Sequence, residues 1–200
     1  MSELTVPNHD NLYLDELRLY APAQVNRSEW TGRRKVIGGP GREVWRGNVT
    51  IADIATEVDE RPWRAFLFAL RGPVNWFRWP LPCNTHIGPK PIVAAGAGNA
   101  YSLPLTGMQP NARILSAGQF MTVPLPSGHA RAVCLSSDLV TDGIGNAIAS
   151  FEPALGEVPI VGVTIETTSP YIPMSSTGSE AGFSLSDGVS GTSLEVEEAR

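Results

Sequence analysis

Cysteine is nearly missing from this chain. Only Cys83 and Cys134 occur in 200 residues, so no disulfide framework holds the fold together, and reduced thiols in a protein assembled in a cytoplasm are expected. Histidine is almost as scarce, with His9, His86 and His129 alone. Long apolar runs are missing as well. Stretches such as Ala65 to Leu70 are far too short to span a bilayer, and the first residues, MSELTVPNHDNLYLDE, carry acids and no apolar segment of a signal peptide. Neither signal-directed export nor a membrane-embedded chain is expected. No run of like charges marks a nucleic-acid-binding arm.

Glycine and proline are plentiful, at 20 and 17 residues, and they are scattered rather than periodic. That distribution favours many short strands and turns over collagen or disorder. With 42% apolar residues the chain has enough material for a packed core. The net charge of −5 is uneven: residues 1–90 hold 12 of the 15 Lys and Arg and 10 of the 20 Asp and Glu, a balance of +2, which leaves −7 for residues 91–200. Such polarity can orient neighbouring rings or layers of a self-assembling protein, and an unevenly solvated surface also accounts for it.

The periodicity predicts one prominent helix over residues 59–71. Asp59 or Glu60 serves as the cap, Pro62 suits the first turn, and Gly72-Pro73 stops the pattern. Trp63, Phe66, Leu67 and Leu70 form its apolar stripe at i, i+3, i+4, i+7. Phe68 lies on the other side, flanked by Arg64 and Arg71, which marks those three residues as a candidate oligomer interface. Before the helix, Trp45, Gly47, Val49 and Ile51 alternate with Arg46, Asn48 and Thr50, the period of a half-buried strand. After it, Val74 to Trp79 reads as a second strand closed by Pro80 and Pro82.

From Lys90 onward short strand-like runs recur at regular spacing: 100–106, 119–123, 129–135, 147–152 and 160–168. Thr141 to Asn146 reads as a hairpin turn between the third and fourth. Five such strands suit a small barrel of the OB-like kind. Ser169 to Gly178 reads as a loop, and two last strands, 181–186 and 192–198, are expected to rejoin the N-terminal sheet because an isolated hairpin is marginal. The fold class is therefore mainly β with one prominent helix: a sheet-plus-helix domain over 1–90 and 170–200, with a barrel over 91–169 inserted in it.

The ordered segments VWRGNVTI (Val44 to Ile51), RPWRAFLFALRG (Arg61 to Gly72) and FRWPLP (Phe77 to Pro82) resemble the distal tail (Dit-like) proteins of long-tailed bacteriophages. LSAGQFMTV (Leu115 to Val123) is similar to that family's lead into its barrel, and IGNAIASFEPAL (Ile144 to Leu155) to the hairpin that leaves it. SLEVEEA (Ser193 to Ala199) resembles its last strand. Gln119 departs from the pattern, since an acidic residue commonly follows the glycine there. The resemblance implies a structural, non-enzymatic subunit of the virion tail tip. It implies a homo-oligomeric ring, commonly a hexamer, that joins the tail tube protein to the hub and fibre-bearing end. The first domain would build the ring and the barrel would project from it. A glycan-binding β module of a virion is the alternative.

The chemistry that would contradict a structural role does not assemble in the sequence. Cys83 and His86 have the spacing of half a zinc site but lack a second pair. Ser136 and Ser137 beside Asp138 lack a nucleophile elbow, and no histidine follows them. Glu57, Asp59 and Glu60 are explained by the helix dipole, and Glu195, Glu197 and Glu198 by a solvated final strand. Gly38 to Gly41 and Gly96 to Gly98 are not followed by the Lys-Ser/Thr of a phosphate loop. Trp63, Phe66, Trp76, Phe77 and Trp79 read as core before they read as a sugar-stacking platform. The barrel segment carries only Arg113 and Arg131 as cations, too few for nucleic acid. No catalytic residue, metal ligand or cofactor is assigned.

Overall fold

The computed structural model describes residues 1–38, 41–86, 88–96, 98, 100–178 and 190–200. It is mainly β with one α-helix. In chain order, β1 (Glu3–Leu4), β2 (Leu12–Tyr20), β3 (Ala23–Arg27), β4 (Arg34–Gly38) and β5 (Val44–Ile54) lead to α1 (Glu57–Leu70) and β6 (Trp76–Pro80). Then come β7 (Ile92–Val93), β8 (Ser102–Thr106), β9 (Arg113–Leu115), β10 (Phe120–Pro124), β11 (Ala130–Leu135), β12 (Leu139–Val140) and β13 (Ala147–Glu152). β14 (Tyr171–Ser176) and β15 (Ser190–Glu198) complete the set. Two compact units result: residues 1–18, 45–80 and 171–200 form one, and 19–44 with 81–170 form the other.

The first unit is a six-stranded sheet in the order β1-β6-β14-β15-β5-β2. β5 keeps the predicted alternation, burying Val49, Ile51 and Ile54 while Arg46 and Asn48 face out. β15 runs antiparallel to β5 on one side and to β14 on the other. Gly47 is required where β2 runs beside β5 in the sheet, because a Cβ there would lie 2.4 Å from the Glu16 carbonyl oxygen. Near the end of β5 the register to β15 shifts, and Asp53 takes a left-handed φ of 60°. Asn11 Nδ2 donates to the carbonyls of Ala52 (3.0 Å) and Asp53 (3.2 Å), and the Tyr13 hydroxyl donates to the Asp53 carboxylate at 2.5 Å, so the strained residue is tied down from two sides.

α1 starts two residues before the predicted 59–71 span and ends at Leu70. Its cap is Thr56 rather than Asp59 or Glu60: the Thr56 hydroxyl oxygen accepts the Asp59 N–H at 3.2 Å and donates to the Asp59 carboxylate at 2.6 Å. The acids therefore sit inside the first turn, where the helix dipole favours them. The stripe Trp63, Phe66, Leu67 and Leu70 is buried, worth about 1.5–3 kcal/mol per side chain. Edge-to-face rings chain Trp63 to Phe66 (5.8 Å) and Phe66 to Phe77 of β6 (5.5 Å), which fixes the helix on the sheet.

Two expectations for the C-terminal part need correction. Tyr171–Ser176, read as loop from its Ser and Pro content, is β14, buried between β6 and β15; packing on both sides overrides weak strand propensity. Glu198, read as solvated, is 4% exposed, and its carboxylate accepts the Trp45 N–H at 3.3 Å and faces Arg200 at 3.6 Å. Glu195 is exposed, and Glu197 pairs with Arg46 at 2.6 Å. The predicted strand 181–186 lies outside the described residues.

In the second unit, β10-β11-β13-β8-β7 form a curled half-barrel sheet around Leu103, Leu105, Met121, Val133, Phe151 and Ile165. The predicted strand 160–168 is instead an irregular segment that bridges both sheet edges. Ile165 N–H donates to the Pro91 carbonyl at 2.9 Å beside β7, and Thr122 and Glu166 exchange backbone bonds of 2.8 and 3.0 Å beside β10. It fails as a strand because Ile160 to Val163 turn, with Val163 N–H on the Ile160 carbonyl at 3.3 Å and Gly162 at φ 88°. β9 and β12 pair separately, and β3 and β4 form a two-stranded hairpin. No helix among the described residues is long and apolar enough to cross a membrane.

Replacing Gly47 by Ala is expected to lower the unfolding free energy by about 2 kcal/mol or more, because the new methyl overlaps backbone that cannot yield. Thr56→Ala is expected to cost about 1 kcal/mol. Chemical denaturation midpoints at constant slope check both.

Candidate functional site

The outward face of α1 is built by the same periodicity that buries its stripe. Residues 57, 61, 64, 68 and 71 are spaced by three or four and share one side of the helix. Phe68 is 57% exposed there. Glu57 pairs with Arg61 at 3.1 Å, and Glu60 with Arg64, each across one turn. Arg64 is partly buried, whereas Arg71 is exposed and closes the helix in a left-handed conformation with φ 50° and ψ 45°. That conformation costs a non-glycine residue about 1 kcal/mol. Arg64, Phe68 and Arg71 thus follow one another along that side of the helix, with Phe68 and Arg71 exposed and the Arg64 guanidinium held against Glu60.

The polar groups singled out for chemistry are engaged structurally. His86 Nε2 lies 2.8 Å from the Pro89 carbonyl, an acceptor only, so it carries the proton. Nδ1 then accepts from the Thr167 hydroxyl at 3.1 Å, and both ring nitrogens are spent. Cys83 is exposed, and among the described residues no three His, Cys, Asp or Glu side chains converge. Asp138 accepts the Ala117 N–H at 2.8 Å and faces Arg113 at 3.5 Å. Trp63, Phe66, Phe77 and Trp79 are buried and Trp76 is partly so, which makes them core and not a stacking platform. The two glycine clusters fall partly outside the described residues.

Sequence reasoning passed over two surfaces of the second unit. The β3–β4 hairpin holds Arg27, Arg33, Arg34 and Lys35 and carries Trp30, 97% exposed, in its connecting turn. The available signal was Thr31-Gly32 between two short runs of matched length, a hairpin pattern without a buried face. The other surface is an open groove of about 770 Å³ over β7, β8 and β13, lined mainly by apolar side chains with Asp142 among them.

Asp142 also organises the turn that flanks this groove. Its carboxylate accepts the backbone N–H groups of Asn146 (2.8 Å) and Ile144 (3.0 Å), which hold it below the usual carboxylate range. Gly145 packs so tightly that a Cβ would lie 2.3 Å from the Met108 carbonyl oxygen. Because the folded carboxyl is more acidic than the unfolded one, its contribution is complete above about pH 4 and is lost as pH falls through the folded value.

The chain matches no protein-family model and no curated protein. The class defined by the geometry is a mainly β protein with a sheet-and-helix unit and a curled half-barrel unit.

Arg71→Gly is expected to raise the unfolding free energy by about 1 kcal/mol, since glycine occupies the left-handed region without strain. Thermal melting reads this directly. Asp142→Asn is expected to lower the melting temperature at pH 7, and the gap from the parent protein should narrow as pH drops below about 4.

Proposed function

We propose that this chain is a structural subunit of a bacteriophage tail tip, a Dit-like protein whose copies close into a ring between the tail tube and the hub. The observation that carries it is the outward face of α1, where Phe68 lies 57% exposed between Arg64 and Arg71 on a helix whose other face is already buried. An aromatic set between guanidinium groups is the composition of an interface hot spot. A ring needs two different complementary patches on each subunit, and this face supplies one. The ordered resemblance from Val44 to Ala199 to Dit-like proteins supports the same reading.

In this assignment the six-stranded sheet and α1 are the ring-forming domain, and the half-barrel is the OB-like insertion. The copies form a homo-oligomeric ring, commonly a hexamer in Dit-like proteins, the partners are the tube protein, the hub and other tip proteins, and the site of action is the virion after assembly in the host cytoplasm. The subunit performs no catalysis. The alternative of a glycan-binding module has less support, because the aromatics that would stack on sugar rings lie in the core; a glycan array discriminates the two.

Phe68→Asp is expected to abolish the ring while changing the unfolding free energy by less than about 1 kcal/mol, as for an exposed site. Native mass spectrometry and thermal melting measure the two effects. A parent protein that stays monomeric with its tail partners overturns the assignment, and a variant that assembles unaltered overturns the role given to Phe68.

A further inference from the structure

The β3–β4 hairpin is an unusual use of sequence. Five residue pairs join its strands, from Ala23↔Gly38 to Arg27↔Arg34, and neither strand pairs with any other strand among the described residues. A two-stranded ribbon alone is marginal in water. Yet Val25, Val36 and Ile37 are about half exposed along it, and Trp30 at its turn is 97% exposed. The turn itself is ordered: Ser28 N–H donates to the Arg33 carbonyl (3.0 Å), Gly32 N–H to the Ser28 carbonyl (2.9 Å), and Thr31 N–H to the Ser28 hydroxyl oxygen (3.2 Å). An indole held out on a hydrogen-bonded turn loses little freedom when it is buried by a partner, the condition under which aromatic anchors contribute most.

The same unit carries a surface that fits it. The groove over β7, β8 and β13 has about 770 Å³ of open volume, more than an indole ring occupies. Val140, Ile148 and Val161 line it while remaining more than half exposed, so covering them with another apolar group is favourable. Charge selects the occupant. Residues 23–38 hold four cations and one acid, a net of +3, and the one charged side chain among those lining the groove is the acid Asp142. Complementary potentials of this kind steer and orient association.

We propose that the β3–β4 hairpin is a docking arm whose Trp30 tip seats in the groove over β7, β8 and β13 of a second copy of this chain. Arm and groove are different surfaces, so the contact is heterologous and propagates from copy to copy, as ring closure requires. The proposal deepens the ring assignment and rests on it.

The test places the photo-reactive residue p-benzoylphenylalanine at position 30 of the full chain and mixes it with an isotope-labelled copy. Irradiation is expected to join light to heavy copies, with the adducts mapping to peptides containing residues 140–148 or 158–162. Ile148→Asp in the acceptor copy is expected to reduce the yield about tenfold or more, since a buried carboxylate opposes the indole. Val161→Asp provides an independent second variant, and thermal melting confirms that both fold. Native mass spectrometry of the same samples separates two failures: an oligomer whose adducts map elsewhere or stay within one copy overturns the contact and leaves the ring, whereas a chain that stays monomeric overturns both. Retention of a single-stranded oligonucleotide that is lost in Arg33→Glu with Arg34→Glu, without adducts, assigns the arm to nucleic acid and overturns the proposal.

Discussion

The first unit depends on backbone hydrogen bonding between strands that are far apart in sequence. β14 and β15, from the last part of the chain, occupy the middle of the six-stranded sheet, with β6 and β1 on one side and β5 and β2 on the other. Without them the sheet is two separate pairs, neither able to bury a continuous face. The seat of α1 follows, because Phe66 packs on Phe77 of β6 while the stripe continues through Trp63, Leu67 and Leu70. The outward presentation of Phe68 is thus a remote product of strand pairing between β14 and β6.

Much of this was legible where one face is buried and one is wet. The alternation from Trp45 to Ile51 and the stripe of α1 are written in side-chain polarity, and both elements lie where that pattern puts them. The pattern is silent where burial is two-sided or absent. β14 is covered on both sides and contains Pro173, Ser175 and Ser176, so it carries no alternation and reads as a loop. The β3–β4 hairpin buries neither face, so polarity could not reveal it. Glu198 shows a third limit: one buried carboxylate among three successive acidic positions is set by the Trp45 amide opposite, which no local pattern encodes.

The candidate site was legible for a different reason. Phe68 stood out because it broke the helical pattern, and residues that break a local rule without local compensation are where interactions with other molecules are expected. The flanking arginines were legible as charge, but the structure distinguishes them: Arg64 is held by Glu60, while Arg71 holds a left-handed cap. Trp30 breaks a pattern too, yet it sits in a turn, where one apolar residue attracts no notice until its exposure is known.

The sheet's dependence on its distal strands bears on how the protein is made. Synthesis delivers β1 through β6 first, and residues 81–170 must then emerge before the central pair arrives, an interval of about 5–18 s at roughly 5–20 residues per second. Throughout it, β5 and β6 each present one unpaired edge. Such edges template pairing with other chains until β14 and β15 fill the space between them.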